Sequence, residues 1–206
     1  MEKKFYITTS IPYTNAHPHI GFAFEAIQAD VIARYHRSLG EDVFFLTGTD
    51  EHGLKTKKAA EVAGMSLEDF LNQTAGKFQQ LKELLHISTD DFIRTTDEER
   101  HIPAVIKLWK KLYENGYLEK SKYKGLYCSG CEAFKTQKEI VDGKCTIHQS
   151  LIEEIEEENY FFKLSKYQDK ILEKIESDEL KITPENKRSE IISFIKSGLA
   201  DFSVSR

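Results

Sequence analysis

The chain has 206 residues with 29 basic against 34 acidic side chains, a net charge of −5. That length allows one large domain, or one domain with a smaller insert, and the balance gives no overall basic field of the kind that announces a nucleic-acid binder. No run approaches the roughly 20 apolar residues needed to cross a bilayer. Met1-Glu2-Lys3-Lys4 and the short apolar run after it lack the features of a signal peptide, so no membrane association is expected. The three cysteines all lie between 128 and 145. An odd, clustered set argues for a metal in a reducing, cytoplasmic setting and against a disulfide framework.

In chain order, Phe5 to Thr9 is a β-branched and aromatic run that predicts a strand, and Ser10 to Pro18, with two prolines and an Asn, predicts a loop. From Ile20 the pattern turns helical: Ile20, Phe24, Ile27, Val31 and Tyr35 form one apolar stripe, taken as the buried face, while Glu25, Asp30, Arg34 and Arg37 point elsewhere. Gly40 closes this helix, and Val43 to Leu46 is the continuous apolar run expected of a parallel strand covered on both faces. Strand, helix and strand together form a βαβ unit. Ser66 with Asp69 predicts a capped start for a second helix carrying Leu67, Phe70, Leu71, Phe78, Leu81 and Leu85. Thr96 with Glu99 predicts another, with Ile102, Val105, Ile106, Trp109, Leu112 and Tyr113 as its apolar face and Asn115-Gly116 as its stop.

Beyond 116 the composition shifts to Lys, Gly, Tyr and Cys with no helical period, which predicts a small β-rich insert over 116–160. Glu153 to Glu158, five glutamates in six residues, reads as a solvated face, and helices resume around 165–175 and 186–198. The expected architecture is α/β, with a parallel sheet over 1–115, a small insert over 116–160 and helices over 161–206.

Three constellations carry chemistry. The loop after the first strand delivers His17, His19 and Gly21 to a helix N-terminus, where unpaired N–H groups and the helix dipole favour an anion. Gly21 would let a nucleotide ring approach the backbone and His19 could donate to a phosphate, although a histidine there can equally be a cap or a surface residue. Thr47 to Gly53 follows the second strand, so its loop faces the same crevice beyond the strand ends, where Asp50 suits an ammonium group or caps the next helix. Cys128-x-x-Cys131, thirteen residues, then Cys145-x-x-His148 matches a closed tetrahedral zinc site of three thiolates and one imidazole. Asp142-Gly143 supplies the turn between the two pairs. A thioredoxin-like redox pair and a metal-free descendant of a zinc knuckle are the rivals.

These residues resemble one family. PYTNAHPHIGFAFEAIQADVIARYHR is similar to the opening of methionyl-tRNA synthetases, with PHIG resembling the HIGH signature of the class I enzymes. FLTGTDEHG, GLYCSGCEAF, the CTIH pair, EEENYFFKLSKYQD and the closing DFSVSR resemble later segments in the right order, so the similarity spans the whole chain. The resemblance implies that 1–115 is the first half of a Rossmann-like nucleotide-binding domain, 116–160 a zinc-knuckle insert and 161–206 a helical return segment. It also implies ATP-dependent activation of methionine, with Mg2+ accompanying the ATP, and transfer to the 3′ end of tRNA(Met). Carried over by position, His19 is the catalytic residue and, with Gly21, holds ATP. Ile11 and Tyr13 line the methionine pocket, Asp50 takes the α-ammonium, and Cys128, Cys131, Cys145 and His148 hold a structural zinc. Phe22 stands where the signature has its second histidine. Lys55-Thr56-Lys57-Lys58 is no KMSKS loop, so the chain resembles an N-terminal portion expected to be inactive alone. The alternative is a non-catalytic zinc module that binds RNA or a partner through Lys120, Lys122 and Lys124 interleaved with Tyr117, Tyr123 and Tyr127.

Overall fold

The computed structural model describes residues 3–205 apart from 129, 132 and 136, together with all side chains of those residues except 123, 124, 133, 134, 138 and 155–157. The chain divides into two compact units, Met1–Lys107 and Leu108–Arg206.

The first unit is built on a three-stranded parallel sheet in the order β1 (Lys4–Thr8), β2 (Asp42–Thr49), β3 (Asp91–Arg94). Helix α1 (Ile20–Ser38) connects β1 to β2; α2 (Leu54–Val62) and α3 (Leu67–Leu84) connect β2 to β3. This is the expected βαβ arrangement, extended by a helix and a short strand that have too few apolar residues to show a period of their own. Ser66 caps α3 as expected: its hydroxyl accepts the Asp69 N–H at 3.1 Å.

The orientation of α1 differs from the expectation. Its buried positions are Phe22, Ala26, Ala29, Asp30 and Ala33, of which the three alanines pack with Phe45 and Ile87, whereas Ile20, Phe24, Ile27, Val31 and Tyr35 are all exposed. Alanines allow the helix axis to sit close to the sheet, so the small-residue face goes inward and the large apolar stripe outward. Asp30 is tolerated inside because Ser88 donates to it twice, from N at 2.7 Å and from Oγ at 2.5 Å, and Arg34 Nε donates at 2.6 Å.

Helix α4 (His101–Glu114) starts later than Thr96 suggests. Asp97 accepts the Glu99 and Arg100 N–H groups at 3.0 and 2.8 Å and is the local cap. The unit boundary falls within this helix.

In the second unit an antiparallel sheet runs β5 (Ala133–Lys135), β4 (Leu118–Cys128), β8 (Glu153–Phe162), β9 (Phe202–Ser203). A hairpin of β6 (Ile140–Val141) and β7 (Lys144–Cys145) turns at Asp142-Gly143, both at positive φ, as that dipeptide requires. Helices α5 (Gln168–Glu176) and α6 (Glu185–Lys196) follow. The glutamate run forms a strand, with Glu153, Glu154 and Glu158 exposed, because its partner is basic. The register sets Lys122 opposite Glu158 and Lys124 opposite Glu156, and Lys120 forms an ion pair with Glu158. Glu158 thus balances Lys120 and faces Lys122 across the ladder, which argues against a free basic surface at those two lysines; the side chains of Tyr123 and Lys124 lie outside the described ones.

Candidate functional site

The two loops beyond the carboxyl ends of β1 and β2 are joined by backbone hydrogen bonds. Asp50 N–H donates to the Pro12 carbonyl at 2.9 Å and Thr14 N–H donates to the Asp50 carbonyl at 3.1 Å, so Tyr13 and Asp50 pair as a continuation of the parallel sheet. Thr14 is wholly buried at this junction while Tyr13 is exposed. Asp50 is not a helix cap: the cap position of α2 is Gly53, which makes no side-chain bond. The hydrogen bond seen at the Asp50 carboxylate is a long one, 3.4 Å from the His52 N–H.

His19 stands at the start of α1, where its side chain caps the helix. Its Nδ1 accepts the Gly21 N–H at 3.0 Å, so the imidazole is the N-cap of the helix. That bond needs a lone pair on Nδ1, which in the neutral ring leaves the proton on Nε2. Gly21 is required by the ring itself: a Cβ there would lie 2.8 Å from His19 Cε1 and 3.0 Å from Nδ1. The glycine expected to admit a nucleotide thus makes room first for the histidine.

A cavity of about 350 Å³ opens beside this helix start, lined by Pro12, Tyr13, His17, His19, Phe22 and Glu25, with Phe78 of α3 at its wall. His19, Gly21 and Tyr13 are among its lining residues; Ile11 and Asp50 are not, and Asp50 is tied to the cavity through Tyr13 and Pro12. Phe22 is buried, edge-to-face on Phe78 with ring centroids 5.0 Å apart, so the position departing from the signature joins the apolar floor. Sequence reasoning missed Glu25, whose carboxylate accepts the Ser10 N–H and hydroxyl at 2.6 Å each and holds the loop against α1. An acidic residue on a helix face carries no sign in the sequence that its partner lies fifteen residues earlier.

In the second unit, the candidate ligand atoms of Cys128, Cys131, Cys145 and His148 all lie within 4.8 Å of one another. Cys131 Sγ is 3.6 Å from Cys145 Sγ and 3.1 Å from His148 Nδ1. A tetrahedral zinc shell places sulfurs about 3.8 Å apart and sulfur and nitrogen about 3.5 Å apart, so the donor set and spacing fit the ion. Gly130 is fixed by close approach: a Cβ would come within 2.7 Å of the His148 ring. Burial pushes the Cys128 thiol up, but bonds from Ser150 and the Cys131 N–H outweigh it and bring the group down to about 6, while burial raises Cys131. Glu139, and then Cys131, push the Lys135 ammonium up to about 12 and keep a cation beside the thiolates. All three cysteines are free of disulfides.

Comparison with known proteins agrees with this geometry. The family model described as class I tRNA synthetases (M) matches residues 5–151 and 135–206. The methionine–tRNA ligase of Rickettsia bellii is 48% identical over 206 residues, covering 100% of this chain and 40% of that protein. The methionine–tRNA ligase of Thermotoga maritima is 46% identical, over 98% of this chain and 33% of its own length. A solved structure of Mycobacterium tuberculosis methionyl-tRNA synthetase in complex with methionyl-adenylate superposes with a TM-score of 0.90 at 42% identity, covering 99% of this chain and 41% of the other. The chain thus spans 33–41% of the length of these relatives.

Proposed function

The chain belongs to the methionyl family of class I tRNA synthetases, and on that premise we propose that its first unit carries part of a site that activates methionine with ATP, for transfer to tRNA(Met). The observation that carries this reading is the pairing of the two loops at Asp50 beside a cavity that opens on the His19-capped start of α1. A dipolar amino acid needs an anion for its ammonium, and a triphosphate needs donors. Asp50 supplies the first, while His19 Nε2–H and the N-terminus of α1 supply the second.

The chemistry needs little more from these residues. A methionine carboxylate oxygen attacks the α-phosphorus of ATP, the bond to the bridging oxygen breaks, and pyrophosphate leaves. The nucleophile is already ionised, so no general base is required, and positioning and charge stabilisation carry the rate. His19 holds a proton at Nε2 toward the phosphates, Gly21 keeps its imidazole seated, Ile11 and Tyr13 border the thioether, and Asp50 orients the ammonium. Residues 1–115 are the first half of the catalytic domain, 116–160 the connective insert and 161–206 the return segment. Cys128, Cys131, Cys145 and His148 would hold a zinc ion that is structural, since four protein ligands close the shell. A cytoplasmic setting suits these reduced thiols.

Methionine-dependent exchange of pyrophosphate into ATP, assayed on the full-length gene product, tests the reading. Exchange on the order of 1 per second or faster is expected with methionine, and exchange that ignores methionine or follows another amino acid overturns it. The 206-residue chain by itself is expected to bind both substrates weakly and to exchange little.

A further inference from the structure

Glu51, next to Asp50, is a buried carboxylate to which the chemistry above assigns nothing. Its side chain has 0% exposure. Oε1 accepts Arg94 Nε at 2.6 Å and the Thr49 hydroxyl at 2.8 Å, and Oε2 accepts the Thr96 hydroxyl. Its own N–H donates to the Thr95 hydroxyl at 2.8 Å, and His52 Nε2 lies 3.2 Å from the Thr95 carbonyl. Arg94 extends the network, donating from Nη1 to Asn72 of α3 at 2.7 Å. Residues 49–52 are thereby fixed to the end of β3 and to α3.

Side chains alternate along an extended segment, so Thr49 and Glu51 share one face and Asp50 takes the other, the face on which it pairs with Tyr13. A one-residue slip would exchange the faces and turn Asp50 away from the first loop. The register is strongly specified because the slip would part Arg94 from its carboxylate and leave the buried Glu51 without its donors. Glu51 also balances the charge of Arg94 at the end of β3.

We infer that Glu51 is a positioning residue: through Arg94, Thr49 and Thr96 it fixes the Asp50 carboxylate toward the crevice and gives the site its preference for a ligand with an ammonium group. This rests on the assignment of Asp50 to the methionine ammonium. The test is calorimetric, on the full-length gene product, with methionine, its analogue lacking the amino group (4-methylsulfanylbutanoate), and ATP. Glu51→Gln keeps the size and an acceptor for Arg94 but removes the charge. It should cut the preference for methionine over the analogue about tenfold while the ATP dissociation constant stays within about twofold. Glu51→Asp, which restores the charge, should recover part of the preference. A Glu51→Gln protein that keeps the full preference, or that loses methionine, analogue and ATP alike, overturns the inference and leaves Asp50 untouched. An unmutated protein with no preference between methionine and the analogue overturns both readings. Glu51→Ala is the harsher variant; a fall in its melting temperature alone, with the preference intact, counts against a positioning role.

Discussion

At His19 the observed cap and the proposed phosphate contact use different ring nitrogens. The cap occupies Nδ1, and Nε2 is the nitrogen proposed to meet the phosphate, so the two roles separate by substitution. His19→Ala should lose the cap, costing about 0.5–2 kcal/mol in urea unfolding, and should also weaken ATP binding. His19→Asn can still cap, so it should recover most of the stability and none of the ATP affinity. Gly21→Ala should resemble His19→Ala, because the new Cβ displaces the imidazole. For Asp50, removing a carboxylate that meets an ammonium should cost about 2–5 kcal/mol, read as a raised KM for methionine in Asp50→Ala. An unchanged KM would remove Asp50 from the pocket. The types and spacing of His19, Gly21 and Asp50 were visible in the sequence. Ser10 with Glu25 and Glu51 with Arg94 were not, because their partners are separated by fifteen and 43 residues and only folding brings them together.

At the scale of elements, α1 decides between two faces that a periodicity count cannot rank. Ala33 is fully buried and Val31 is 61% exposed. Ala33→Leu should therefore overpack the contact with β2 and destabilise the first unit by about 1–3 kcal/mol, whereas Val31→Ser should stay within about 0.5 kcal/mol. The reverse order would restore the apolar stripe to the core. The knuckle is the other test at this scale. It is built from a three-residue strand, a two-stranded hairpin of two residues each and one end of β4, which bury too little to hold by themselves. One zinc per chain is expected by metal analysis after reducing, chelator-free purification, and Cys128→Ser should lower it. Chelation should expose the knuckle to proteolysis while leaving the helical signal of the first unit in place, since binding energy and folding energy are one quantity there.

For the whole molecule, each unit carries a carboxylate that ties distant segments and has its pKa lowered. Burial pushes Asp30 up, but hydrogen bonds from Ser88 and Arg34 outweigh it; the hydroxyl and N–H of Ser165 hold Asp201 down. A carboxylate depressed in the folded state contributes stability above its ordinary value, near about 3.9, and that contribution is lost as pH falls through the lowered folded pKa. The urea midpoint should therefore drop as the pH falls from about pH 5 to about pH 2, and Asp30→Asn should lower the midpoint at neutral pH while flattening the drop. A midpoint independent of pH across that range would mean these ties contribute nothing. Among the described residues no helix is long and apolar enough to cross a membrane.

The sequence by itself determined what depends on neighbours along the chain: the Ser66 cap, the Asp142-Gly143 hairpin, the strand at Val43 to Leu46, and the Cys128/Cys131 and Cys145/His148 pairs whose spacing suits a tetrahedral ion. Each is governed by torsions or by ligands a few residues apart, so its signal is local. Tertiary structure alone decided which face of α1 meets the sheet, since two apolar faces differ in bulk and only the sheet's distance selects the alanines. It also made the glutamate run a strand, because lysines some 35 residues earlier stand opposite it in register. And it paired the backbone of Asp50 with Tyr13 and the carboxylate of Glu51 with Arg94 at the end of β3, across separations that no local pattern reports.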